Sequence, residues 1–234
     1  GEKMAIDSGY YDFYGSRHFN EYSTQSFAHN TLLVDGLSQG SRRPGADGAI
    51  ERFFANHRYG FVRGDGSSPL FYQGKLRHWK RSMLAAYPGI IVVHDRIEPE
   101  NEVKIDWLFH ASFPIVISGD NTFEVSGSKN KLRGQFLIPE RPKLSVTDRF
   151  PVRPVDGHST RELKDDEIVP EWHLKATMSM PGNKPSSILT VLETAAKTEP
   201  AIIRKLNPVN ADGCKIVLPD KTLLIFFRTA PGVI

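Results

Sequence analysis

Alternation of apolar and polar side chains at every second residue is the feature that most narrows what this chain can fold into. Along residues 104–110, Ile105, Trp107 and Phe109 fall on one face of an extended backbone and Lys104, Asp106 and His110 on the other. Residues 175–180 repeat the pattern, with Ala176, Met178 and Met180 facing inward. Shorter apolar runs at 31–34, 90–93, 115–117, 187–192, 215–218 and 222–227 predict strands covered on both faces. Between them stand turn formers: Pro88-Gly89, Gly119-Asp120-Asn121, residues 127–130, Pro181-Gly182-Asn183 and Asp212-Gly213. The helix period is nearly missing. Its best candidate, residues 161–168, has Ser159 and Thr160 as caps but only Leu163 and Ile168 as an apolar face, and reads as one helical turn or a loop. The proline-dotted stretch 139–154 leaves room for a short edge strand at 144–146. With no helices to cover a parallel sheet, the expected fold class is all-β: an antiparallel, multi-stranded β-sandwich of two sheets with little or no helix.

At 234 residues, 39% hydrophobic and 24% charged, the chain can bury a sizeable core, and the strands point to a single sandwich region over residues 1–234. A net charge of +3, evenly spread, argues against nucleic acid while leaving open a locally basic groove for an acidic glycan. No run reaches the roughly 18 apolar residues that span a bilayer, so no membrane span is expected. Cys214 is the sole cysteine, which excludes a disulfide framework; following Asp212-Gly213, it reads as a hairpin residue rather than a nucleophile. Gly1-Glu2-Lys3-Met4 looks like neither a signal peptide nor an initiation site, and the expectation is a piece of a longer protein.

Reactive side chains concentrate at the amino end. Residues 5–22 hold Asp7, Tyr10, Tyr11, Tyr14, Arg17, His18 and Tyr22, and Phe27-Ala28-His29-Asn30 leads into the first buried strand. A Tyr-rich loop that satisfies its own backbone explains these residues as well as a site does, and His29 taken alone reads as a structural histidine.

The order of motifs adds to this. Asp7-Ser8-Gly9-Tyr10, the Tyr-rich stretch, and Ala28-His29-Asn30-Thr31-Leu32-Leu33-Val34-Asp35-Gly36 resemble the start of the carboxyl-terminal region of the heparinase II/III-like polysaccharide lyases. The resemblance continues through Gly64-Asp65, Leu76-Arg77-His78-Trp79-Lys80-Arg81-Ser82, residues 88–97 and Trp107-Leu108-Phe109-His110, in the order of that family's strand, basic hairpin, buried strand and strand. It covers residues 4–115 well and the remainder, 116–234, as generic β-structure.

The resemblance implies a sandwich that closes one side of a cleft against an upstream α/α-toroid domain. That domain carries most of the catalytic groups and is not in this chain, so the isolated chain is expected to be inactive. It implies zinc as cofactor, held by two histidines and an aspartate: Asp7 and His29 are the metal candidates, and the other histidine belongs upstream of Asp7, leaving the site incomplete here. The implied chemistry is β-elimination on a uronic-acid-containing glycan of heparin/heparan sulfate, alginate or related type. A base removes the proton α to the carboxylate, a donor neutralises that carboxylate, and an acid protonates the leaving oxygen. The family's sandwich contributes a Tyr or His just after Asp-Ser-Gly. This makes His18, Tyr22 and Tyr14 the catalytic candidates, His18 and Tyr22 preferred for their spacing ahead of the His29 strand, and Tyr10, Tyr11, Arg17 and Asn30 the substrate-binding candidates. An acidic polysaccharide is the expected partner, and the periplasm or the exterior of a bacterium the expected location.

The alternative is a non-catalytic carbohydrate-binding or structural β-sandwich whose Tyr and Trp side chains stack on sugars. Arg42-Arg43, and Lys75, Arg77, Lys80 and Arg81 around Trp79, read either as contacts to an anionic polymer or as a solvated hairpin with snorkelling side chains. His94-Asp95 and His110 read as strand-end residues satisfying local hydrogen bonds, and Asp47 as a turn.

Overall fold

The computed structural model describes residues 2–10, 12–40, 44–195 and 199–229. Strands are numbered along the chain. A four-stranded antiparallel sheet has the order β1 (Leu32–Val34), β6 (Val103–Ala111), β11 (Trp172–Met180), β10 (Lys143–Thr147). An eight-stranded sheet runs β2 (Ala49–Ala55), β3 (Tyr59–Asp65), β4 (Leu76–Ala86), β5 (Ile90–Pro99), β12 (Ser186–Ala195), β9 (Lys131–Ile138), β8 (Thr122–Ser126), β7 (Ile115–Gly119). A third sheet holds β13 (Ile202–Leu206), β14 (Ala211–Val217) and β15 (Thr222–Arg228).

The all-β sandwich expected from periodicity is what forms, with one more layer than two sheets. The reason lies in β5 and β12, whose central residues are apolar on both faces. Ile97 and Ile188 enter the core shared with Leu32, Ile105, Trp107 and Leu174 of the four-stranded sheet. Ile90, Val92, Leu189 and Val191 point the other way and pack under Ile203, Ile216, Ile225 and Phe227 of the third sheet. At about 1.5–3 kcal/mol for each fully buried aliphatic side chain, neither face is stable in water, and both are covered.

Three local expectations are corrected. Residues 76–82 are the first part of the long strand β4, not a hairpin, because Leu76, Trp79 and Ser82 are drawn inward along it. Asp212-Gly213 lies inside β14, where Gly213 pairs with Leu206 and with Phe226. Cys214 is accordingly a fully buried core residue whose thiol burial pushes up to about 12. Residues 165–167 form a single 3-10 turn within the weak helical candidate.

The candidate active-site face

β6 and β11 are paired in register with His110 opposite His173, and both side chains leave the sheet on the face turned away from Trp107 and Phe109. The amino-terminal segment lies against them. Its position is fixed by backbone bonds from Ile6 N–H to His110 O (3.1 Å) and from Ser8 N–H to Ala28 O (2.8 Å). Asn30 staples the corner: its amide donates to Ile6 O and accepts from His110 N–H, each at 2.8 Å. Arg81 holds the same corner from below, donating to Asn30 O at 2.6 Å while its fork grips the fully buried Asp95 at 2.7 and 3.0 Å. Trp79 Nε1 donates to that carboxylate as well, at 2.9 Å. Trp79 and Arg81 therefore serve the interior, whereas Arg77 and Lys80 point to the other side of the sheet.

A chain of polar groups crosses this face. Glu171 accepts from Ser8 Oγ at 2.7 Å and from Gly9 N–H at 3.0 Å. Because the Ser8 proton goes to Glu171, the 2.7 Å contact with Tyr22 has the phenol as donor. Tyr22 OH reaches His173 Nδ1 at 3.5 Å, and His173 Nδ1 meets His110 Nδ1 at 2.9 Å. The Nε2 atoms of both histidines are buried without a hydrogen-bond partner. Burial raises the Tyr22 phenol well above its ordinary value, and the nearby Glu171 charge adds to the rise. Burial also takes His173 down to about 4, and burial together with His173 takes His110 down to about 3. At neutral pH this face therefore holds a protonated tyrosine and two uncharged imidazoles.

The sequence-derived candidates separate by exposure. His18 is fully buried: Nδ1 donates to Val152 O at 2.6 Å and Nε2 accepts from Tyr10 N–H at 3.1 Å, so both ring nitrogens are occupied. Tyr22 is 1% exposed and sits in an aromatic cluster with His18, Phe150 and His173. Tyr14 is 76% exposed, its ring 4.8 Å from Phe19. Arg17 pairs with Glu21 one helical turn on, at 2.9 Å. Tyr10 is half-buried, and Tyr11, like Arg42 and Arg43, lies outside the described residues. Asp7 and His29 come together, Oδ1 to Nδ1 at 3.3 Å, with both side chains open to solvent. Among the described residues no three His, Cys, Asp or Glu side chains converge as a metal site requires, so this pair fits as two donors and no more.

Sequence reasoning passed over Glu171 and His173. The signal for His173 was present in β11, where it lies on the outward register with Lys175 and Thr177, opposite His110 of β6. His110 is the strand-end residue expected, its Nδ1 bonded across the ladder to His173 while its Nε2 is buried without a side-chain partner.

An antiparallel sandwich whose amino-terminal Asp-Ser-Gly segment and His-Asn strand meet on one sheet face defines a recognisable class. Residues 1–203 match the family described as Heparinase II/III-like, C-terminal, and the chain belongs to that family. No curated protein matches the chain. Among solved structures, it is similar to heparan sulfate lyase HepC of Pedobacter heparinus, at TM-score 0.72 and 14% identity over 98% of this chain and 35% of that one. Two heparinase III structures are similar at TM-scores of 0.71 and 0.70, with 13% and 14% identity, each over 96% of this chain and 34% of theirs. The chain thus spans about a third of the length of these structures, and at such identities the likeness is one of fold.

Proposed function

We propose that this sandwich is the downstream part of a polysaccharide lyase that cleaves a uronic-acid-containing glycan by β-elimination and completes its cleft with an upstream helical toroid. The observation that carries the reading is the histidine face, where Asp7, His29 and the line Glu171, Ser8, Tyr22, His173, His110 meet in a chain of this family. On this reading Tyr14, exposed in the amino-terminal segment, is the side chain with reach to substrate and acts on a proton during the elimination, and Tyr10 and Arg17 of the same segment bind substrate. His18 and Tyr22 are positioning residues: His18 ties the Tyr10 backbone to Val152, and Tyr22 ties Ser8 to His173.

Asp7 and His29 are two ligands of a zinc ion whose remaining ligands come from beyond this chain; when bound, the ion lends positive charge to a site that handles an anionic substrate. Cleavage of an extracellular polymer puts the protein in the periplasm or outside the cell. The test is to incubate the full-length parent with heparan sulfate, alginate and other uronate polymers and to follow the absorbance of the unsaturated uronide. Appearance of that product with at least one polymer is the expected result, and its absence with all of them overturns the reading.

A further inference from the structure

The face of the eight-stranded sheet turned toward β13–β15 changes character along its length. Under the third sheet it presents Leu84, Ile90 and Val92. Past Phe227, near the end of β15, the same faces of β3, β4 and β5 turn polar and line a cavity of about 780 Å3, within the range of roughly 300–1,000 Å3 common for ligand pockets. Arg63, Arg77, Lys80, Arg96 and Arg228 reach its wall, against the carboxylates of Asp65 and Glu98.

Two of these cations stand apart. Lys80 pairs with Glu51 and Asp65, and Arg77 with Glu98 and Glu100. Arg96 sits directly across the β4–β5 ladder from Lys80, a like-charge opposition that costs an antiparallel pair stability. Its guanidinium donates to neutral oxygens, Thr229 O at 2.9 Å and Ser187 Oγ at 3.4 Å. Asp212 is bonded to His94 at 2.8 Å, and the Arg96 charge helps hold its carboxyl below the usual carboxylate range without a close ion-pair contact among the described residues. Arg63 donates to Ser82 Oγ at 3.4 Å, and its ion-pair contact is a loose 4.0 Å to Glu51, which already holds Lys80. Among the described residues, these two planar forks therefore face one cavity with no carboxylate in ion-pair contact nearer than the 4.0 Å from Arg63 to Glu51. Such forks match sulfate and carboxylate geometry.

We propose that this cavity is a binding subsite for a sulfated or carboxylated oligosaccharide, with Arg63 and Arg96 donating to its anionic groups. It lies on the opposite side of the large sheet from the four-stranded sheet with the histidine face, so a long polymer is held at a second point on the sandwich. The sugar identity of the ligand rests on the lyase reading; the anion preference does not. A bounded cavity in a chain of net charge +3 also fits a short glycan better than nucleic acid, which needs an extended row of phosphate contacts.

The experiment is calorimetric titration of the full chain with a heparin-derived octasaccharide, an oligoguluronate and a short DNA duplex, each at low and physiological salt. The expected result is binding of at least one glycan. The double variant Arg63→Gln, Arg96→Gln should weaken it by about tenfold or more, since bidentate charged contacts are lost. Arg141→Gln removes one of the two units of charge that the double variant removes, from an 83% exposed side chain elsewhere, and should change affinity less than about twofold. Binding of the heparin fragment alone assigns sulfate as the recognised group, and binding of both glycans assigns the carboxylate. Arg63→Lys, Arg96→Lys keeps charge without the fork and should fall between wild type and the glutamine variant; it supplies the test if the glutamine variant is unfolded by thermal melting. No glycan binding by wild type, equal loss in Arg141→Gln, wild-type affinity in the lysine variant, or DNA binding as tight as glycan binding would each overturn the proposal. Because binding is read without turnover, a parent that yields no unsaturated product bears on the lyase reading alone.

Discussion

Asp95 is a fully buried carboxylate whose acceptor sites are filled by Arg81 and Trp79 together. Breaking such a pair from one side strands a charge in the interior. Arg81→Met should therefore lower stability by roughly 3–5 kcal/mol, read as a fall in the urea midpoint, and Arg81→Met, Asp95→Leu together should recover much of the loss. The same variant releases Asn30 O and so loosens the corner that holds Ile6 and His110. His173 adds a pH dependence whose sign follows from its depressed value of about 4. The unfolded chain takes up the proton near pH 6.5 and the folded chain does so only near 4, so the contribution is complete above about 6.5 and is lost as pH falls through that window. Its slope is at most about 1.4 kcal/mol per pH unit. His173→Gln should flatten the decline of the melting temperature between pH 6.5 and 4, and an unchanged decline would show that carboxylates alone cause it. At this scale the sequence made Asp7, His29 and Tyr22 visible as a cluster through motif order. It did not distinguish buried from exposed members, because the burial of His18 depends on what distant residues 150–152 place against it, which the local pattern does not show.

Strand periodicity exposed the elements that carry a core: β5, β6, β11, β12 and β15 all appear as alternating or continuous apolar runs. The strands it missed fail for identifiable reasons. β2 is exposed along its whole length at the edge of the eight-stranded sheet, so no burial pattern is written into Ala49–Ala55. β14 was seen only from residue 215 on, because the turn-forming pair Asp212-Gly213 at its start is absorbed into the ladder, Asp212 being wanted by His94 and Gly213 making room for Phe226. The third layer was implicit in runs apolar on both faces, which two sheets cannot cover. Packing at this scale is tight enough to forbid a single methyl group. A Cβ on Gly134 of β9 would stand 2.1 Å from the ring of Phe123 on β8, and that ring is fully buried against Phe109 and Phe136. Gly134→Ala should cost about 1–3 kcal/mol of stability by forcing the ring off its position, measured by thermal melting. A pairing with Phe123→Leu, which removes the obstructing edge, should be less destabilised than the sum of the two single changes.

As a whole the molecule is three stacked sheets, with the histidine face on the outside of the first and the basic cavity on the far side of the second, past the edge of the third. The fold class could be read from the chain because periodicity is local, whereas the sites could not, because each is assembled across strands far apart in sequence: Glu171 and His173 reach Ser8 and Tyr22, and Arg96 reaches Thr229. The Asp7–His29 pair has the same logic: on the proposed reading its 3.3 Å contact on an open surface offers two of the roughly four donors a firm zinc site takes. In the full-length parent, His29→Ala should release zinc on dialysis, measured by elemental analysis, and abolish turnover, because the remaining carboxylate holds the ion too weakly. Tyr14→Phe should leave zinc content unchanged and lower kcat by about a hundredfold or more at nearly constant KM, as expected when a group that moves a proton in the transition state is removed. Tyr22→Phe separates the two roles assigned on this face. It removes the hydroxyl that joins Ser8 to His173 while keeping the buried ring, so it should reduce stability by about 1 kcal/mol and depress kcat less than Tyr14→Phe does. If Tyr22→Phe is instead the more damaging to kcat, with stability intact, the protonated phenol beneath Ser8 is the group that meets the substrate and Tyr14 only borders it.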